Sequence, residues 1–332
     1  MQRRQLGSTP FQVSPIGLGL AALGRPGYIS LDHGKDIRST DVADMEERTH
    51  YVLDTAWEFG VRYFDAARGY GKAEAFLASW FASRGISPDD VVVGSKWGYT
   101  YTADWQVDAE THEVKEHSLD RLEQQWEETQ ATLGEHLNLY QVHSATRSSG
   151  VLENDAVLEA LFRLKAETQV AMGLTLSGPG QADTLQQALT IRQDGELLFD
   201  TVQATWNVLE RTAEDALNDA HQAGMGIIVK EALANGRLTV RNVTNDDFAE
   251  PYRVIMGEAG RLNTTVDALC IAAALAQPWA DVVLSGAAQR VHMISNIAAT
   301  NIKYDDHAAE ALEAVRESAE TYWQTRDALE WN

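Results

Sequence analysis

Apolar and polar positions along the chain fall into two alternating periods. Short runs rich in β-branched and aromatic residues, "SPIGLGL", "RYFDAA", "DVVVGSKW" and "LNLYQVHS", are too continuously apolar to have one wet face. Between them lie longer stretches, "ADMEERTHYVLDTAWEFG", "KAEAFLASWFASRG" and "SLDRLEQQWEETQATLG", with apolar residues three and four apart. That is the spacing of a helix with one buried face. The beat continues through "VAMGLTLS", "TVQATWN", "MGIIVKEA" and "DVVLSGA", each followed by another amphipathic stretch. Eight strand–helix units predict an α/β fold, a closed (β/α)8 barrel, as one domain over residues 1–332. The opening "RRQLGSTPFQVSPIG" reads as a small hairpin, and "DHAAEALEAVRESAETYWQTRDAL" as one extra C-terminal helix. Long insertions are expected at 24–44 and 98–117, with a shorter one before the seventh helix. A doubly wound sheet shares the alternation, but "GLGLAALG" lacks the G-x-G-x-x-G spacing and leads into a loop rather than a helix.

Charge narrows the partners. The 332 residues carry 49 acids against 27 bases, a net charge of −22, which repels nucleic-acid phosphate and anionic lipid. No apolar stretch approaches the roughly 18 residues of a membrane span. "MQRRQLGSTPFQV" has no apolar segment behind its arginines, so a secretion signal is not expected. The one cysteine, Cys270, sits in "DALCIAAALA" and suits a buried position in a reducing, cytoplasmic setting. Any anionic cofactor needs a basic or amide-lined pocket against this overall field. A homo-oligomer stays open.

Barrel enzymes carry their chemistry at the C-terminal ends of the strands. There the chain places Asp65 and, just beyond it, Tyr70 after the second strand; Lys96 ends the third and His143 the fourth. Taken singly, each has an ordinary explanation as a turn residue, a solvated cation or a hydrogen-bonded core histidine. Together, on three consecutive strands, they fit one task. A phenol with an ordinary pKa near ~10 is made a better proton exchanger by a neighbouring ammonium. An aspartate anchors that ammonium, and an imidazole orients a substrate oxygen. The set handles a proton at a carbonyl or alcohol oxygen, and none of its members supplies a hydride, so a cofactor is implied.

"YFDAARGYGKAE" resembles the F-D-T-A-x-x-Y-G-x-S-E signature of the aldo-keto reductases, and Lys96 and His143 fall at the corresponding strand ends. The similarity runs from the hairpin to "VVLSGAAQRVHMISNIAAT". It implies an oxidoreductase using NADPH or NADH, with NADPH the commoner choice, on an aldehyde, ketone or sugar-like carbonyl or the matching alcohol. Tyr70 would be the proton donor, Lys96 would lower its pKa, Asp65 would pair with Lys96, and His143 would orient the substrate. Thr175, Gln203, Gly286, Arg290 and Asn296 take the places of cofactor-binding residues. Lys230 stands where the family has a tyrosine stacked on the nicotinamide. The other reading on the same barrel is a cofactor-binding sensor or scaffold without turnover.

The long insertions add Tyr28, Trp97, Tyr99 and Trp105 as candidate walls of a substrate pocket, Tyr28 and Trp97 foremost among them. "HEVKEH" at 112–117 has one residue too many between its histidines for a zinc-binding His-Glu-x-x-His, so no metal is expected.

Overall fold

A computed structural model describes residues 1–332. Eight parallel strands close on themselves: β1 (Ile16–Gly19), β2 (Tyr63–Asp65), β3 (Val92–Trp97), β4 (Leu137–Ala145), β5 (Ala171–Leu176), β6 (Thr201–Thr205), β7 (Gly226–Lys230) and β8 (Val282–Ser285). β8 pairs back onto β1, and β5 onto β6. Around them run α1 (Val42–Glu58), α2 (Ala73–Arg84), α3 (Leu119–Leu133), α4 (Asp155–Glu167), α5 (Gln181–Ala188) and α6 (Glu214–Gln222). The ring continues with α7 (Ala249–Arg261), α8 (Val266–Leu275), α9 (Arg290–Ala298), α10 (Asp306–Glu313) and α11 (Ala319–Asp327). Polar residues start these helices: Asp41, Ser118, Asn154 and Thr265 each accept a backbone N–H of the first turn.

Strand alternation separates two cores. Phe64, Val93, Tyr140 and Val202 face outward into the large core between barrel and helices. Tyr63, Val92, Leu139, Ala171, Ile228 and Val282 fill the barrel interior. The N-terminal hairpin, Arg4–Gln5 paired with Gln12–Val13, adds Leu6 and Val13 to that interior and closes its floor. Further up, the inward residues turn polar. Gly94 makes room for them: a Cβ there would lie 2.7 Å from the Tyr63 hydroxyl and 3.3 Å from Asp65 Oδ1.

Two features differ from the sequence expectation. The segment before the last turn of the barrel holds a complete helix, α7. The C-terminal helix is two, α10 and α11, because tertiary contacts override the helical period between them. Glu317 N donates to Leu209 O at 2.9 Å, Glu317 pairs with Arg237, and Ser318 caps a new helix through Thr321 N. No helix is long and apolar enough to cross a membrane.

Candidate active site

The inward residues at the strand C-ends converge as the sequence reading required. Lys96 is fully buried and ion-paired with Asp65, and its Nζ also donates to Ala66 O at 2.9 Å. The other Asp65 oxygen, Oδ1, accepts from Gln203 Nε2 at 3.0 Å and Gln141 Nε2 at 3.2 Å. Neighbours on all sides thus fix one carboxylate. Tyr70 follows β2 on the turn Ala67–Tyr70 and drops its ring over this pair, with Lys96 Nζ 4.6 Å from the ring centroid. The Tyr70 hydroxyl lies 3.4 Å from His143 Nε2, with the rings edge-to-face at 5.3 Å.

Burial, reinforced by the Asp65 charge, pushes the Tyr70 phenol well above its ordinary value, with Arg25 opposing. Lys96, the ammonium expected to act on this phenol, is under its ring and ion-paired with Asp65. Burial also pulls Lys96 down, against Asp65. Burial, then Lys96, Arg25 and Lys230, hold His143 well below the usual imidazole range. Tyr70 therefore carries its proton and His143 is neutral at pH 7. Buried His143 Nδ1 has no partner.

Above this group opens a cavity of about 650 Å³, within the size range of small-molecule sites. Tyr28 and Tyr99 line it; Trp97 and Trp105 do not. Trp97 is the neighbour of inward-facing Lys96, so alternation turns it outward, edge-on to His117 at 5.5 Å. Trp105 packs on Phe76 and donates to Thr40 O at 2.6 Å. Thr175, Gln203, Gly286 and Asn296 are on the wall. Thr175 Oγ1 accepts from Ser144 N at 2.7 Å, and the Asn296 amide accepts from Ser285 Oγ at 2.8 Å and donates to Asp267 Oδ2 at 2.9 Å. Arg290 is not on the wall. At the start of α9 it faces α1, 3.2 Å from Thr55 Oγ1 and 3.6 Å from Glu58, and its neighbour His292 reaches the cavity instead. No three histidine, cysteine, aspartate or glutamate side chains group to hold a metal. His112 is stacked on Trp331 and His117 is bonded to His143 O at 2.9 Å.

Sequence reasoning missed a charged layer above the phenol. Arg25, from the insertion after β1, lies over the rings of Tyr70 and Trp331 at 5.3 and 4.6 Å and pairs with Glu113 at 2.6 Å. Glu231, one residue past β7, has a left-handed backbone (φ 54) and receives Arg326 of α11 at 3.0 Å. Burial brings Lys230 down to about 8, with Glu231 opposing. Burial acts to raise Glu231, but Lys230 and Arg326 outweigh it and hold the carboxyl at about 2. Arg326 joins the site from the far end of the chain, so no local motif could have announced it.

Residues 15–317 match the sequence model of the aldo/keto reductase family. Pyridoxal 4-dehydrogenase of Microbacterium luteolum is 23% identical over 297 residues, 80% of this chain and 81% of that protein. An uncharacterised oxidoreductase of Bacillus subtilis strain 168, YrpG, is 27% identical over 254 residues, covering 72% and 68%. Among solved structures, an aldo-keto reductase from Bacillus halodurans in its holo form superposes with a TM-score of 0.73 at 18% identity, covering 96% of this chain and 97% of that one.

Proposed function

We propose, for a chain that belongs to the aldo/keto reductase family, a nicotinamide-dependent reduction of an aldehyde or ketone in which Tyr70 delivers the proton. Membership makes the chain an oxidoreductase of carbonyl compounds; the cofactor contacts and the residue roles are our reading. The observation that carries it is the meeting of Tyr70 Oη and His143 Nε2, 3.4 Å apart, at the inner end of one cavity, with Lys96 buried beneath the Tyr70 ring.

The cavity suits a dinucleotide. It runs from Tyr70 past the end of β8, where Gly286 to Ala288 line it and a Cβ added to Gly286 would meet nothing within 4 Å. α9 begins there without a side-chain cap, leaving first-turn N–H groups for an anion. His33, 2% exposed and on the same wall, has a buried Nε2 without a partner. Gln203 and Thr175 would lie beside the nicotinamide end, and Asn296 beside the far end. When bound, the cofactor supplies the hydride.

The protein's own residues handle the oxygen. A carbonyl oxygen seated between Tyr70 Oη and His143 Nε2 takes a hydrogen bond from each, the neutral imidazole carrying its proton on Nε2. As the carbon is reduced, the oxygen gains charge and takes the Tyr70 proton. The phenolate left behind has the Lys96 ammonium under its ring. A phenol pushed upward in pKa is in the right form for this direction. Alcohol oxidation needs the same phenol to give up its proton first and so calls for higher pH. Around the mouth, Arg25, Tyr28, Tyr99, Glu113 and Trp331 mix aromatic faces with charge, which favours a polar ring or hydroxylated carbonyl.

The test is a carbonyl panel with both cofactors, including pyridoxal, which a relative's name puts among the candidates. Tyr70→Phe is expected to keep dinucleotide affinity within about twofold and to lose about 10²–10⁴ in turnover, the range of general acid catalysis. Undiminished turnover in this variant removes Tyr70 as the acid. Tight dinucleotide binding with no turnover on any carbonyl makes the protein a sensor instead.

A further inference from the structure

Beyond the end of β8 the cavity ends in a recess built from four separate segments. Asp36 comes from the one-turn helix His33–Ile37 in the insertion after β1. Arg241 follows β7, Thr265 and Asp267 begin α8, and His292 and Ser295 are on α9. If the nicotinamide sits at Tyr70 and the pyrophosphate at the start of α9, this recess receives the adenosine. The inference therefore rests on the dinucleotide reading above.

The charges in the recess decide which dinucleotide fits. Asp36 is 8% exposed and held from two sides: Arg241 pairs with Oδ2, and Gln289 Nε2 donates to Oδ1 at 3.2 Å. Of the residues that build the recess, Arg241 is the permanent cation, the cavity's other arginines, Arg25 and Arg326, being at the Tyr70 and Glu231 end. Arg241 is occupied, its second arm donating to Leu31 O at 2.5 Å. Asp267 adds a second carboxylate. The nearby histidines bring no charge at pH 7, since burial lowers both His33, to about 4, and His292. Arg290 faces α1, and Arg48, although near Asp36, does not line the cavity. A phosphate dianion here would meet two carboxylates and no free cation. A ribose diol brings two hydroxyl donors, which a carboxylate accepts.

We propose that this recess selects NADH over NADPH, with Asp36 accepting the adenosine ribose hydroxyls and excluding a 2′-phosphate. Asp36 is then a specificity-determining residue supplied by the insertion after β1, and the NADPH expected from family resemblance is displaced by NADH.

The experiment is equilibrium binding without turnover, by quenching of tryptophan fluorescence with NADH and with NADPH. The wild type is expected to bind NADH at least tenfold more tightly. Asp36→Ala, which frees Arg241 for a phosphate, is expected to shrink that ratio at least tenfold. Asp36→Asn, which keeps the shape and a hydrogen bond, shrinks it in the same direction and covers the case in which the alanine variant misfolds. Arg290→Ala leaves both dissociation constants unchanged. Equal or tighter binding of NADPH by the wild type overturns the proposal, as does an unmoved ratio in both Asp36 variants. Binding of neither dinucleotide fails the cofactor reading itself and is distinct from a failure of selectivity.

Discussion

Lys96 and Asp65 depend on each other more than on anything else in the protein. Both are buried and in ion-pair contact, so removing one strands the other in the barrel interior. Lys96→Met is therefore expected to cost about 3–5 kcal/mol, the usual penalty for an orphaned buried charge. The double variant Lys96→Met/Asp65→Asn should recover most of that stability in urea denaturation while remaining inactive. Recovery of activity with stability would mean the pair only holds the fold. Asp65, Tyr70, Lys96 and His143 were legible in the sequence because strand C-ends form one surface in this architecture. The same logic, applied without counting strand parity, misplaced Trp97: Lys96 faces in, so its neighbour faces out. Arg290 was misplaced because a loop-to-helix junction has no such parity to read, and the first residue of α9 turned toward α1.

Elements were legible where their period was strong and lost where a distant contact decided the outcome. All eight strands follow from apolar runs, since each is buried on both sides. The break between α10 and α11 does not, because Leu209 and Arg237, far away in sequence, hold the chain at Glu317. α11 then delivers Arg326 to Glu231 at the end of β7, joining barrel and tail by a charge pair. Folded Glu231 is held at about 2, below its ordinary 4.5. A carboxylate depressed in this way stabilises the fold fully above the unfolded value and loses that contribution as pH falls from about 4.5 toward 2. Across that window the wild type should lose on the order of 1–3 kcal/mol more than Glu231→Gln, measured by urea titration at successive pH values. Parallel pH profiles for the two proteins would show that the β7–α11 pair does not contribute.

At the scale of the whole molecule, acids outnumber bases 49 to 27, and the cavity wall is closer to balance, with Arg25, Lys230, Arg241 and Arg326 facing Asp36, Asp65, Glu113, Glu231, Asp267 and Asp327. Most of the surplus negative charge therefore lies outside the cavity, and the folded state holds it at closer range than the unfolded chain does. Self-repulsion of this kind destabilises the compact form and is relieved by salt. Opposing it are surface pairs such as Arg261–Asp305 at 2.7 Å, which salt weakens, but exposed pairs contribute only about 0–1 kcal/mol each. Repulsion among a net −22 is long-ranged and should dominate. Screening lengths fall from about 30 Å at 0.01 M to about 8 Å at 0.15 M, so relief comes early in a salt series. The thermal midpoint in sodium chloride is expected to rise by about 2–5 °C, most of it below about 0.2 M and little beyond. A midpoint that falls over the first 0.2 M would mean the surface pairs outweigh the repulsion. One that climbs linearly to molar salt would mean the response is general salting-out rather than charge screening.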